Sequence, residues 1–274
     1  MSKAPLPDIS QIPDDGKYHQ DVNDPMRWHL IIHPIDPPGV TRVIGGGNSC
    51  RVGLLKDGTV LKYPLVDDDW RTLEIEAQIF SALGTHQRLV KYLGESGEGL
   101  KLELVEEGSV KNYLARKPIS QIPVELRLKW ARQAAEAVAF IHSKGVIHCD
   151  IHTNNLLLDG ELDIKLCDFQ GTWGPWDGQA MEGVRSFLPR ETTSPPTVTT
   201  DLFALGSAIY EIMTGHEPYE NFGDKEVEGR YLERQFPAVD AVTCGEVIQR
   251  CWMVAYRSAQ ETVHDLIDLS DRSV

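Results

Sequence analysis

The residues best suited to chemistry in this 274-residue chain lie in one stretch, His148-Cys149-Asp150-Ile151-His152-Thr153-Asn154-Asn155, with Asp168-Phe169 following thirteen positions after Asn155. A carboxylate such as Asp150 can orient an attacking hydroxyl and accept its proton. Five positions on, the Asn155 amide oxygen, together with the Asp168 carboxylate, supplies hard donors of the kind Mg²⁺ prefers. That set suits phosphoryl transfer, where positioning and charge neutralisation do most of the catalytic work. Two weaker features could complete such a site. Gly45-Gly46-Gly47 precedes Asn48-Ser49-Cys50-Arg51-Val52, and adjacent glycines let backbone N–H groups approach phosphate oxygens. A plain turn has the same composition, and Cys50 stands where a G-x-G-x-x-G loop has its third glycine. Lys62 sits inside the apolar run Val60-Leu61-Lys62-Tyr63, where a charge is costly unless it meets a partner. Glu74 and Glu76, on the next helix, are the candidates; a solvent-facing lysine on an edge strand is the plainer alternative.

These groups need elements to hold them. Short β-type runs cover Arg42-Val43-Ile44, Arg51 to Leu55 and Thr59 to Tyr63, the last two joined by the hairpin signal Asp57-Gly58. The spacing of Leu73, Ala77, Phe80 and Leu83 predicts a helix from about Asp69 to Leu83, stopped by Gly84. Asp67-Asp68-Asp69 reads as a cap for its positive N-terminal end. Two more strands, Leu89 to Leu93 and Leu100 to Val105, complete a small antiparallel half. After Gly108 the pattern is helical: Pro123 to Ser143 before Gly145, Asp201 to Thr214 before Gly215, then Ala241 to Val254 and Ala259 to Leu269. The Asp201 helix is apolar nearly all round, which predicts burial on every side. Residues 1 to about 38 hold seven of the sixteen prolines and read as a tail or strap, able to form a short strand at Trp28 to Ile32.

Bulk properties narrow the function. The chain is 41% hydrophobic with a net charge of -14, which argues against a nucleic-acid or anionic-membrane partner. It has no apolar run of about 18 residues to span a membrane and no signal-type N-terminus. Five cysteines without CxxC spacing argue against disulfides and for a reducing compartment, with the cytoplasm as the expected location.

Taken together, the motifs resemble the protein kinase superfamily over about Val40 to Leu269. The H-R-D-x-x-x-x-N loop appears as His148 to Asn155 and the D-F-G segment as Asp168-Phe169-Gln170. The narrower likeness is to the compact single-domain kinases of filamentous fungi, through phrases such as Asp201-Leu-Phe-Ala-Leu-Gly. The resemblance implies an α+β bilobal fold, with a tail (1–38), a small antiparallel β-rich lobe (39–105) and a larger helical lobe (106–274). It implies ATP and Mg²⁺ as cofactors and a protein hydroxyl, serine or threonine, as acceptor. Asp150 would be the base, Asn155 and Asp168 the metal ligands, Lys62 the phosphate contact and Glu76 its anchor. Gly45, Gly46, Gly47, Val52, Val60, Leu102, Glu103, Val105 and Leu157 would bind ATP, with Leu102 as gatekeeper and the Glu103 and Val105 backbone facing adenine. His148, Phe169, Asp201 and Glu191 would be structural supports, Glu191 pairing with Arg250 or Arg257.

Five positions depart from the family pattern. Cys149 replaces the arginine that receives an activation-loop phosphate, so phosphorylation of Thr172 or Ser186 has no evident receiver. His152 and Val184 replace a lysine and a threonine that bond to one another near the acceptor. Gln170 replaces the metal-loop glycine, with Gly171 next in line, and Val60 replaces a small alanine over adenine. These departures leave two other readings open: a pseudokinase acting as a nucleotide-binding or scaffolding module, and, through His152, a small-molecule phosphotransferase. His86 and His142 read as packing or loop hydrogen-bond residues, Cys50 and Cys167 as buried thiols rather than redox switches, and Trp173 and Trp176 as packed side chains.

Overall fold

The computed structural model describes residues 18–20, 28–30, 36–47, 49–65, 69–178, 180–191 and 194–272. The chain divides into two units, Met1–Pro38 and Gly39–Val274. In the first, strands β1 (Tyr18–Gln20) and β2 (Trp28–Leu30) pair antiparallel, with Tyr18 opposite Leu30.

The second unit opens with three strands, β3 (Val40–Gly46), β4 (Cys50–Leu55) and β5 (Val60–Pro64), and helix α1 (Trp70–Leu83). Strands β6 (Tyr92–Ser96) and β7 (Gly99–Leu102) complete an antiparallel sheet in the order β3-β4-β5-β7-β6. Strand β5 is central and buried along its length up to Tyr63, so Lys62 is not on an edge. Helix α1 buries Leu73, Ala77, Phe80 and Leu83, as its periodicity predicts, and Glu76 with them. Its Asp69 makes no capping hydrogen bond to the helix, and Asp67 and Asp68 lie outside the described residues. Leu89 and Val90 are buried but precede β6, and Glu103 to Val105 follow β7 outside any strand.

Strand β8 (Gly108–Ser109) leads to helix α2 (Val110–Arg116), whose start is capped by Ser109 accepting from the Asn112 N–H at 3.2 Å. The sequence pattern did not pick out this short helix. Helix α3 (Val124–Ser143) carries Trp130, Ala134, Val138 and Ile141 into the core. After it come β9 (Val146–Ile147), β10 (Leu156–Leu158) and β11 (Ile164–Leu166), then a small hairpin, β12 (Thr172–Trp173) with β13 (Trp176–Asp177). Strand β12 also pairs with β9, which ties the chain after Asp168 to the chain before His148. Gly171 makes this approach possible, because a Cβ there would lie 1.9 Å from the Ile147 carbonyl oxygen.

Helix α4 (Val198–Thr214) is buried continuously from Thr200 to Met213 and ends in left-handed Gly215, as the all-round apolar pattern requires. Helices α5 (Asp224–Leu232), α6 (Gly245–Trp252) and α7 (Ala259–Arg272) pack beyond it. Helix α6 is shorter than its sequence suggests, and α5 was not predicted. A Cβ on Gly206 of α4 would sit 2.6 Å from that of Cys251, so α4 and α6 meet almost backbone to backbone. The architecture is α+β, an antiparallel sheet followed by a helical body. All five cysteines are free, and among the described residues no helix is long and apolar enough to cross a membrane.

Candidate active site

Lys62 and Glu76 are 6% and 0% exposed, and the Lys62 Nζ donates to Glu76 Oε2 at 2.5 Å. The same Nζ reaches Asp168 Oδ1 at 2.5 Å, a contact the sequence did not reveal. Glu76 spends its other oxygen on the Phe169 N–H at 3.3 Å. One buried cation therefore joins β5, α1 and the chain after β11. Burial alone would discharge Lys62, but Asp168 and Glu76 hold its ammonium well above the usual lysine value. Burial likewise opposes charge on Asp168, and Lys62 overrides it, keeping that carboxyl below the ordinary range. For Glu76 burial outweighs Lys62, and its carboxyl is pushed up.

Asp150 and Asn155 sit between β9 and β10. Asn155 Nδ2 donates to the Asp150 carbonyl at 2.9 Å and to Asp150 Oδ2 at 3.1 Å. The amide oxygen of Asn155 is thereby turned away and accepts no hydrogen bond among the described residues. His152 Nδ1 accepts the Asn154 N–H at 3.2 Å, so Nε2 carries the proton it directs at Asp150 Oδ2, 3.1 Å away. Asp150 Oδ1 is left without a partner among the described residues. Burial would lower His152, but the hydrogen bond and charge of Asp150 dominate and raise it.

The support beneath this loop is Asp201, 1% exposed. It accepts the His148 N–H at 2.7 Å, the Cys149 N–H at 2.9 Å and His142 Nε2 at 2.8 Å. His142 is thus a hydrogen-bonding residue, with Asp201 as its partner. Cys149 and Asp168 hold φ of 65° and 67°, a conformation that costs a non-glycine residue of order 1–3 kcal/mol and persists where the surroundings impose it. His148 donates from Nε2 to the Cys167 carbonyl at 2.9 Å and accepts the Asp150 N–H on Nδ1 at 3.3 Å. Its ring meets Phe169 at 5.4 Å, Phe169 meets Phe80 at 5.0 Å, and Phe80 stacks on Tyr92 at 5.1 Å. This aromatic column runs from the sheet to the loop; only its Phe80, Phe169 and His148 were legible beforehand.

Val60, Leu102 and Val105 are buried, with Val52 and Leu157 half-buried beside the same core. The Glu103 N–H is committed to the Lys91 carbonyl at 3.0 Å, which leaves only the Glu103 carbonyl free to face a base. The Val105 N–H and carbonyl pair with no backbone group of the described residues. The Gly47 N–H closes a tight turn on the Cys50 carbonyl at 2.9 Å; Asn48 lies outside the described residues. Burial pushes the Cys50 and Cys167 thiols up, away from reactivity.

One expected support is not where the sequence put it. Glu191 is exposed and makes no ion pair among the described residues; Arg250 pairs instead with Asp265, beside Tyr256. Within this segment Glu182 pairs with Arg190, side chains 6% and 18% exposed. Trp173 is half-buried against the core, but Trp176 is 41% exposed, because it lies on the outer strand of the small hairpin.

The protein kinase domain model matches residues 59–269, so the chain belongs to the protein kinase family. It is similar to a mitogen-activated protein kinase kinase kinase 7-like protein of Drosophila melanogaster, 28% identical over 59% of this chain and 42% of that one. It is also 25% identical to the serine/threonine/tyrosine-protein kinase HT1 of Arabidopsis thaliana, over 55% of this chain and 41% of the relative. A serine/threonine-protein kinase/receptor of Acanthamoeba polyphaga mimivirus is 24% identical over 78% of this chain and 14% of its own length. The chain thus spans less than half the length of these curated relatives.

Proposed function

We propose that this chain is an active kinase that transfers the γ-phosphate of ATP to a serine or threonine hydroxyl of a protein, without prior phosphorylation of its own activation segment. The observation that carries this reading is Lys62 held between Glu76 and Asp168, 2.5 Å from each, beside the loop of Asp150 and Asn155. Lys62 would contact the α- and β-phosphates. The hard oxygens of Asn155 and Asp168 fit Mg²⁺. Among the described residues no cluster of His, Cys, Asp and Glu could hold a metal alone, so phosphate and water oxygens would fill the remaining positions. When bound, the cation neutralises charge on the transferring phosphoryl group. The base of ATP would lie between Val52, Val60 and Leu157, against the Glu103 carbonyl and the Val105 N–H, with the triphosphate under Gly45 to Gly47. Asp150, fixed through Oδ2 by His152 and Asn155, would receive the acceptor proton on Oδ1.

Independence from loop phosphorylation rests on three features. Cys149 is a buried thiol rather than a cation. The β12–β13 hairpin is already seated on β9. Ser186 is buried and Thr172 is half-buried within β12, so neither offers an open hydroxyl. Five free thiols suit a reducing compartment such as the cytoplasm. The test is incorporation of labelled phosphate into generic protein substrates with ATP and Mg²⁺. Activity at least a hundredfold above Asp150→Asn is expected, about the low end of general-base contributions. Incorporation no greater than in Asp150→Asn sinks the proposal; Mg·ATP binding without turnover would point to a scaffold.

A further inference from the structure

Beside Asp150 opens a cleft of about 320 Å³ whose wall includes His152, Val184, Lys111, Glu211 and Glu217. It is where an acceptor segment must lie if Asp150 is the base, and its charges are already arranged. Glu211 is buried on α4, and its Oε2 accepts the Thr153 hydroxyl at 2.7 Å. Burial pushes its carboxyl up, against the hydrogen bond from Thr153 and the charge of Lys111. Lys111 lies near the start of α2, where its N–H donates to the Thr153 carbonyl at 3.3 Å. Its ammonium sits 3.9 Å from Glu211 Oε1 and contacts Glu217 Oε1 directly. Glu217 faces Arg185 Nε on its other side at 3.6 Å, and Arg185 also pairs with Asp224 at 3.1 Å. Each carboxylate on this wall therefore has an internal cation, and the Lys111 side chain is still 39% exposed toward solvent.

We propose that Lys111 is a specificity-determining residue, an internal cation that occupies a subsite otherwise suited to an arginine or lysine of the substrate. This deepens the kinase reading and rests on it. Two carboxylates converging on one point of an acceptor cleft would bind a substrate guanidinium by charge-assisted hydrogen bonds. With Lys111 in place, an incoming cation meets a like charge, and the carboxylates gain nothing by exchanging one partner for another. The wild-type chain should accept peptides without upstream or downstream basic residues and give such residues no advantage.

The test reads binding, not turnover. Fluorescent serine peptides that differ only in placing arginine or alanine at successive positions are titrated against the full chain by polarisation. The wild type should not separate the two sets. Lys111→Met should bind arginine peptides at one position roughly tenfold tighter than their alanine counterparts, about the worth of one charge-assisted bond. The gain should disappear in Lys111→Met/Glu217→Gln. Lys111→Gln, which removes the charge but keeps a polar, unbranched side chain, should repeat it should the methionine variant fold poorly. An arginine preference in the wild type equal to that of the variants overturns the proposal. So does the absence of any gain in variants that melt like the wild type. Since no phosphate is transferred, these outcomes are distinct from loss of incorporation in Asp150→Asn, which tests catalysis.

Discussion

Asp201→Asn keeps the shape of a buried side chain and removes its charge. Two oxygens there accept three hydrogen bonds, from the His148 and Cys149 N–H groups and His142 Nε2. If the asparagine turns its oxygen to His148 and His142, its NH₂ faces the Cys149 N–H, and that donor is left buried and unpaired. An unsatisfied buried donor costs about 1–3 kcal/mol, and two bonds that lose a charged acceptor weaken by about 1 kcal/mol each. The expected destabilisation is therefore about 4 kcal/mol. In a chain of this size each kcal/mol lowers Tm by roughly 2–4 °C, so calorimetry should show a fall of about 8–16 °C. Hydrogen exchange supplies a second readout. Cys149 holds φ of 65° only while its surroundings impose it, so amides 148–150 should lose protection beyond those of α3. His142→Leu alone should cost about 1 kcal/mol, the worth of one bond, and less in the Asp201→Asn background because the two residues are coupled. An Asp201→Asn protein melting within about 2 °C of wild type, with its loop amides still protected, would refute the claim that this carboxylate holds the loop.

Lys62→Met strands the buried Glu76 carboxylate and should cost about 3–5 kcal/mol in denaturant unfolding, whereas Lys62→Met/Glu76→Leu should recover most of it. Both should lose the thermal stabilisation by Mg·ATP expected of the parent, and a double variant no more stable than the single would argue against an obligatory pair. Burial would raise Asp163, but Gln133, Lys129 and Arg88 hold it down at about 2. A depressed carboxylate contributes stability in full above its unfolded value of about 4, lost as pH falls from there toward 2. Asp163→Asn should accordingly flatten the stability curve in that window; an unchanged slope would count against the network.

The lobed organisation was largely legible because local patterns carry it: apolar runs joined by Asp57-Gly58 for β4 and β5, the i, i+4 face of α1, an apolar helix for α4. Helix α5 was not, since its charged sequence Asp224–Leu232 buries only Val227 and Tyr231 and leaves almost no apolar periodicity to read. In the proposed site, Asp150, Asn155 and Asp168 could be read together because one turn and one hairpin fix their separation. Lys62 and Glu76 were paired only through the family resemblance, because an apolar run does not tell a central strand from an edge one; the sheet order makes the strand central and its charge costly to leave unpaired. Glu191 was misjudged: its expected partner Arg250 is taken by Asp265.

By itself, then, the sequence determined which chemical groups are present and which lie on shared loops and faces, because those depend on neighbours a few residues apart. The tertiary structure alone decided the long-range partners: His142 for Asp201, 59 positions away, and Lys111 for Glu217, 106 positions away. Such pairs are selected by packing, where helices α2, α3 and α4 bring together residues that no periodicity relates. The loop from His148 to Asn155 announces a phosphotransfer site, but its rigidity comes from an aspartate and a histidine on two separate helices.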